Sequence, residues 1–196
     1  MKCLVTGGAG FIGSHLVDKL IKERHGVAII DNLSSGRKEN LNPKAKFYKF
    51  DICDPAISRI FRKEKPVYVF HFAAHIEARE SVKDPIFDAK INILGSLNIL
   101  ENCRKFNVKK IIFASSGGEI YGDAKKIPTP ENYPPAPLSP YGISKLAVEK
   151  YLDAYRRLFG ISYLALRFGN IYGPRQNPNG EAGVMAIFIS KMLKKE

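Results

Sequence analysis

The chain has 196 residues, 45% of them apolar and 26% charged, with a formal net charge of +12. That length suits one sizeable domain with its own core; no apolar run is long enough to span a bilayer, and the opening MKCLVTGGAG has too short an apolar stretch for a signal peptide. Cys3, Cys53 and Cys103 are widely spaced, with no CxxC and no histidine pairing, which speaks against a disulfide framework or a metal site and for reduced thiols in a cytoplasmic protein; the lysines and arginines are scattered without interleaved aromatics, a solvated basic surface rather than a nucleic-acid groove.

Short apolar runs alternate with helical stretches along the whole chain. KCLVT (2–6), VAIID (27–31), KFYKF (46–50), VYVFH (67–71), KIIFAS (110–115) and SYLALRF (162–168) predict six strands, with helices over 11–24, 54–64, 84–106 and 139–159 and one more after Gly183. Three helix starts carry a capping residue followed by proline, at Asp54-Pro55, Asp84-Pro85 and Ser139-Pro140. The segment 117–138 holds five of the twelve prolines and is the longest stretch predicted irregular. Strands that alternate with helices predict an α/β fold, a doubly wound parallel Rossmann sheet with helices on both faces.

Two stretches carry chemistry. After the first strand, LVTGGAGFIGSHL sets Gly7, Gly10 and Gly13 at GxxGxxG spacing, where glycines permit a tight turn and let backbone amides and a helix N-terminus approach a pyrophosphate. Asp31, at the end of the second strand and 18 residues past Gly13, suits the hydroxyls of an adenosine ribose and would repel a 2′-phosphate, which favours NAD over NADP. Further on, SPYGISK places Tyr141 four residues before Lys145, about one helical turn apart on one face. A free tyrosine has a pKa near 10, but an ammonium beside it favours the phenolate, which can then take a proton from a substrate hydroxyl.

TGGAGFIGSHL, DNLSSG, SSGGEIYG, SPYGISK and RFGNIYGPRQ together resemble the extended short-chain dehydrogenase/reductases, the NAD-dependent epimerase/dehydratase family, and within them the UDP-glucose 4-epimerases and related nucleotide-sugar epimerases. The resemblance covers nearly the whole chain. It implies an isomerase of carbohydrate (galactose) metabolism that epimerises a UDP-sugar at C4 with NAD. Tyr141, Lys145 and Ser116 would be catalytic. Gly7, Gly10, Phe11, Ile12 and Gly13 would line the pyrophosphate; Asp31, Asn32, Ser35 and Gly36 the adenosine; Asp51 and Ile52 the adenine. Phe72, Ala73 and Ala74 would pass under the cofactor, Asn92 matches the family's Asn-Val-x-Gly-Thr, and Ser115, Tyr141, Lys145 and Phe168 would border the nicotinamide. Ser116, Tyr141 and Asn170 would meet the substrate. His71 and His75 read as packing or backbone-capping residues. A homodimer through helices 84–106 and 139–159 is implied, with no nucleic-acid or membrane partner.

Three departures qualify the resemblance. Many members carry Ser or Thr four residues before the tyrosine of the YG pair, where this chain has Gly117; Ser116 is the nearby hydroxyl. Glu119 stands where dehydrating and decarboxylating relatives carry a glutamate, but Gly118 replaces the aspartate that precedes it in the dehydratases, so Glu119 is expected as a solvated loop carboxylate. Members of the family usually continue into a smaller substrate domain, so residues 1–196 are expected to form an NAD-binding Rossmann domain without it. A 4,6-dehydratase, a UDP-glucuronate decarboxylase and a non-catalytic NAD-binding module remain as alternatives.

Overall fold

A computed structural model describes residues 1–178 and 184–194. Six parallel strands, β1 (Lys2–Thr6), β2 (Gly26–Ile30), β3 (Lys46–Tyr48), β4 (Tyr68–His71), β5 (Lys110–Ser116) and β6 (Ser162–Phe168), lie in the order β3-β2-β1-β4-β5-β6. The chain direction across the sheet reverses between β1 and β4, the point at which ligands of open α/β sheets bind outside the carboxyl ends of the strands.

Both faces of β1 are buried, and its side chains alternate between two cores. Leu4 joins Ile30, Val69, Ile111 and Phe113 under α2 (Ile57–Glu64), α5 (Ser96–Lys105) and α6 (Pro140–Phe159), which add Phe61, Leu100 and Leu152. Val5 points the other way, with Val27 and Ile29, onto Val17 of α1 (Phe11–Lys22). Helix α7 (Val184–Lys194) follows β6, and among the described residues no helix is long and apolar enough to cross a membrane.

The ends of α6 match the sequence reading: Ser139 accepts a hydrogen bond from the Gly142 amide at 3.1 Å, and Gly160 closes the helix at φ 71°. Asp84 likewise caps α4 (Pro85–Ala89) through the Phe87 amide. Asp54 instead receives the Ala56 amide and caps a turn, so α2 starts two residues later than its proline suggests. The edge strand β3 is shorter than expected because only Ala28–Ile30 pair with it. Within the stretch 84–106, residues 85–105 are helical throughout but not uniform. Between α4 and α5 the turn Lys90–Gly95 widens to π geometry, where the Ser96 hydroxyl donates to the Asn92 carbonyl at 2.6 Å and competes with the backbone ladder. A further short helix, α3 (Ala78–Lys83), precedes it; six residues are too few to show a period.

Candidate active site

The glycine loop is shaped by contacts no side chain could share. Gly7 sits at φ +72°, its amide bonded to the Ile30 carbonyl at 2.9 Å, and a Cβ there would lie 2.6 Å from the Ala73 nitrogen. A Cβ on Gly13 would lie 2.1 Å from the Gly7 carbonyl oxygen, so α1 starts directly against the loop. No side chain caps α1 at Gly10 and its first turn holds no acid, which leaves the amides of Phe11, Ile12 and Gly13 at the positive end of the helix. That is a cradle fitted to a phosphate.

Asp31 is 6% exposed, and both its oxygens accept backbone amides, Oδ2 from Ala9 at 2.9 Å and Oδ1 from Leu33 at 2.8 Å. It thereby ties the glycine loop to the turn after β2. Arg37 N–H and the Asn40 side-chain amide both donate to the Ala9 carbonyl, a clasp that the sequence pattern did not reveal. Gly36 packs on Asp31, Ser35 is exposed beside it, and Asn32 donates to Asp51 at 2.8 Å. Ile52 is buried against Gly95 rather than open to the edge.

After β4 the amides of Phe72 and Ala73 both reach Thr6 Oγ1 at 3.2 Å, so this backbone passes next to Gly7, with Ala74 half-buried after it. His71 is fully enclosed, with Nδ1 on Thr6 and Nε2 on Ser96, and burial pushes it down to about 3: it is a neutral packing residue. Asn92 is turned inward. Its oxygen accepts the His75 amide, and its NH₂ donates to the His75 carbonyl and to Asp88.

Tyr141 lies in the first turn of α6, its backbone amide held by the Ser81 hydroxyl at 3.1 Å. One turn on, Lys145 is 3% exposed; its Nζ donates to the Ala114 carbonyl at 2.8 Å and lies 5.5 Å from the Tyr141 ring centre and 4.8 Å from that of Phe113. On β5, Ser115 gives its hydroxyl to Glu149 of α6 at 2.6 Å. Glu149 accepts Nε–H and Nη2–H of Arg167 of β6 along one guanidinium edge, and Arg167 Nη1 reaches on to the Tyr121 hydroxyl at 2.7 Å and the Glu131 carbonyl, which fastens the proline-rich segment. Ser116 is half-buried and pairs in register with Phe168, whose ring meets that of Phe72 edge-on at 6.2 Å; Asn170 is exposed just beyond.

Gly117 is tight for a side chain: a Cβ would stand 3.0 Å from the Arg167 carbonyl oxygen, and its amide bonds to the Phe168 carbonyl at 2.7 Å. A serine at this place would press on β6, so Ser116 is the hydroxyl that remains. Glu119 is not the solvated carboxylate expected. It accepts the Ser139 hydroxyl at 2.7 Å, and its amide donates to Ser116.

Nearly all these residues follow the carboxyl ends of the six strands or start α6, along one edge of the sheet; Ser115, Asn92 and Ile52 belong to the packing behind it. Two cavities, of about 330 Å³ beside Cys103 and Gly160 and about 270 Å³ beside Cys3 and Ile112, touch none of that edge.

The profile of the NAD dependent epimerase/dehydratase family matches residues 3–196. The chain belongs to this family. It is 53% identical over 193 residues to a putative UDP-glucose 4-epimerase of Methanocaldococcus jannaschii, covering 98% of this chain and 63% of that protein. The solved UDP-glucose 4-epimerase of Thermotoga maritima with UDP-glucose superposes with a TM-score of 0.98 at 55% identity, over 100% of this chain and 64% of that one. That of Thermus thermophilus with NAD gives 0.96 at 47%, over 100% and 63%. The chain thus spans less than two thirds of the length of these relatives.

The buried lysine of this epimerase/dehydratase chain has a measurable signature. Burial pushes Lys145 down to about 8, with Asp88 pulling it back up. The unfolded chain keeps that proton to about pH 10.4. Between these values the unfolded state binds more protons than the folded one, so this group makes stability rise with pH across the window and penalises folding below it. Denaturant midpoints at about pH 8 and about pH 10 should show wild type gaining on the order of 2 kcal/mol relative to Lys145→Met over that interval.

Proposed function

We propose that the chain is the cofactor-binding and proton-transfer part of an NAD-dependent nucleotide-sugar 4-epimerase of the UDP-glucose/UDP-galactose type. The observation that carries this is the placement of Tyr141 and Lys145 at the same sheet edge as a glycine cradle too tight for a Cβ at Gly7 or Gly13. The cradle fits NAD: Gly7, Gly10, Phe11, Ile12 and Gly13 would hold its pyrophosphate, Asp31, Asn32, Ser35, Gly36 and Asp51 its adenosine end, and Phe72 to Ala74 and Phe168 its nicotinamide side. The relatives solved with NAD and with UDP-glucose support the same assignment.

Bound nicotinamide supplies a reversible hydride acceptor for the sugar carbon. The protein supplies the rest. Lys145, still mostly an ammonium at neutral pH, favours the Tyr141 phenolate, which takes the proton of the 4-hydroxyl and returns it after the sugar has turned. Ser116 holds that hydroxyl, and Asn170 meets the nucleotide diphosphate. Glu119, the feature that would favour a dehydratase or decarboxylase, already has its carboxylate on the cap of α6, which counts against those readings.

The decisive experiment mixes the chain and NAD⁺ with UDP-galactose. UDP-glucose formed with little free NADH supports the proposal. NAD binding without conversion leaves a cofactor-binding module, and no NAD binding overturns the site assignment altogether. The wider reading places the protein in the cytoplasm, in galactose metabolism, as a homodimer. Ile86, Leu94, Ile143 and Leu158 are exposed along the helical stretches 84–106 and 139–159 and support that pairing; a monomer in sedimentation would remove it.

A further inference from the structure

We infer that Asp88 is the buried counter-charge and positioning residue of the Tyr141–Lys145 pair. The inference rests on the proton transfer proposed above and names a residue with no part in it so far. Asp88 lies on α4 and is 0% exposed, and a carboxylate so placed must be held by hydrogen bonds or opposite charge. Its Oδ2 accepts the Ser144 hydroxyl at 2.6 Å; its Oδ1 accepts the Asn92 amide at 2.8 Å and lies 3.4 Å from His75 Nδ1.

Each partner leads to the site. Ser144 is next to Lys145 on α6 and one turn from Tyr141. Asn92 grips both the N–H and the C=O of His75, at 2.9 Å each, and so holds the turn after β4. Asp88 therefore links the helix that carries the proton-transfer pair to the backbone that passes beside Gly7. One carboxylate fixes how far α6 is rotated relative to the strand ends.

The charge has a second use. Lys145 is an enclosed ammonium whose hydrogen bond goes to a neutral carbonyl and whose other neighbours are the rings of Phe113 and Tyr141. Burial disfavours its proton, and Asp88 opposes that. Among the described residues the other groups facing the cluster are few. From β4 comes neutral His71; from the turn after it His75; from α3 the neutral Ser81; and further along α6 Glu149, already paired with Arg167. An ammonium retained at Lys145 is what favours the phenolate of Tyr141.

The test is Asp88→Asn, which keeps the shape and an acceptor for Ser144 but removes the charge, beside Ser144→Ala, which keeps the charge and removes the link. Lysine-selective NMR titration should place Lys145 about one pH unit lower in Asp88→Asn and leave it unmoved in Ser144→Ala. The alkaline limb of the pH–kcat profile should move down with it. At neutral pH kcat should fall about twofold and near pH 9 about tenfold, with KM little changed, and Ser144→Ala should lose kcat several-fold with no change in that limb. An unmoved Lys145 titration in Asp88→Asn overturns the counter-charge, and wild-type kcat in Ser144→Ala overturns the positioning. Should Asp88→Asn not fold, Asp88→Ser takes its place: Lys145 must again titrate below its wild-type value, and an unmoved titration rejects the inference. The NMR titrations need no turnover, so an inactive wild-type chain would sink the proposed function while leaving the Asp88–Lys145 coupling decided on its own.

Discussion

Tyr141→Phe is expected to lower the rate of UDP-sugar interconversion by about a hundred- to ten-thousand-fold, the usual worth of a positioned acid–base group, with NAD affinity within about twofold of wild type. The substitution removes one oxygen. The amide of residue 141 remains on the Ser81 hydroxyl, so the first turn of α6 stays in place. The ring remains for Lys145 to lie against, and the ammonium keeps its bond to the Ala114 carbonyl. A loss of kcat without loss of folding or cofactor binding therefore reports the phenol alone. Single-turnover measurement with cofactor and sugar both saturating separates this from weakened binding. A variant that turns over like wild type would move proton transfer to another group and remove Tyr141 from the mechanism.

What could be read from the sequence follows from how local each signal is. The limits of α6 were legible because Ser139, Pro140 and Gly160 are capping residues whose effect depends on neighbours three or four positions away. Strand β1 and the glycine loop were legible because an apolar run passes directly into GxxGxxG. Asp88 was not. In FDAK it looks like an acid on the wet side of a helix, and only Ser144, 56 residues later in the chain, shows that it is enclosed. The widened turn at Lys90–Gly95 was hidden for a similar reason, since Asn92 is committed to a backbone 17 residues earlier. Ser115 shows a signal that was present but unused. It is two residues from Phe113, so the period of a strand puts both on the face covered by α6, where Glu149 takes its hydroxyl. Its neighbour Ser116 lies on the opposite face.

The glycine loop allows a second large effect to be ranked inside a single motif. Gly13→Ala is expected to weaken NAD binding by more than about a hundredfold and to cost about 1–3 kcal/mol of stability, the range for forcing atoms into a packed site. Its Cβ would lie 2.1 Å from the Gly7 oxygen and 2.9 Å from the Gly7 carbonyl carbon, and both are backbone atoms that cannot rotate away. Helix α1 would have to retreat from β1, and the amides of its first turn would retreat with it. Gly10→Ala should be mild by comparison, because its Cβ would meet one atom at 3.2 Å and its φ of −78° suits any residue. Gly118→Ala, where a Cβ would meet nothing within 4 Å, is the control and should leave both quantities unchanged. Calorimetric titration of NAD beside thermal melting of the three variants distinguishes two roles for the same contact. If Gly13→Ala loses stability while its folded fraction binds NAD as wild type does, the glycine serves only the packing of α1 on β1. If affinity falls far more than stability, the close approach of helix to loop exists to hold the pyrophosphate.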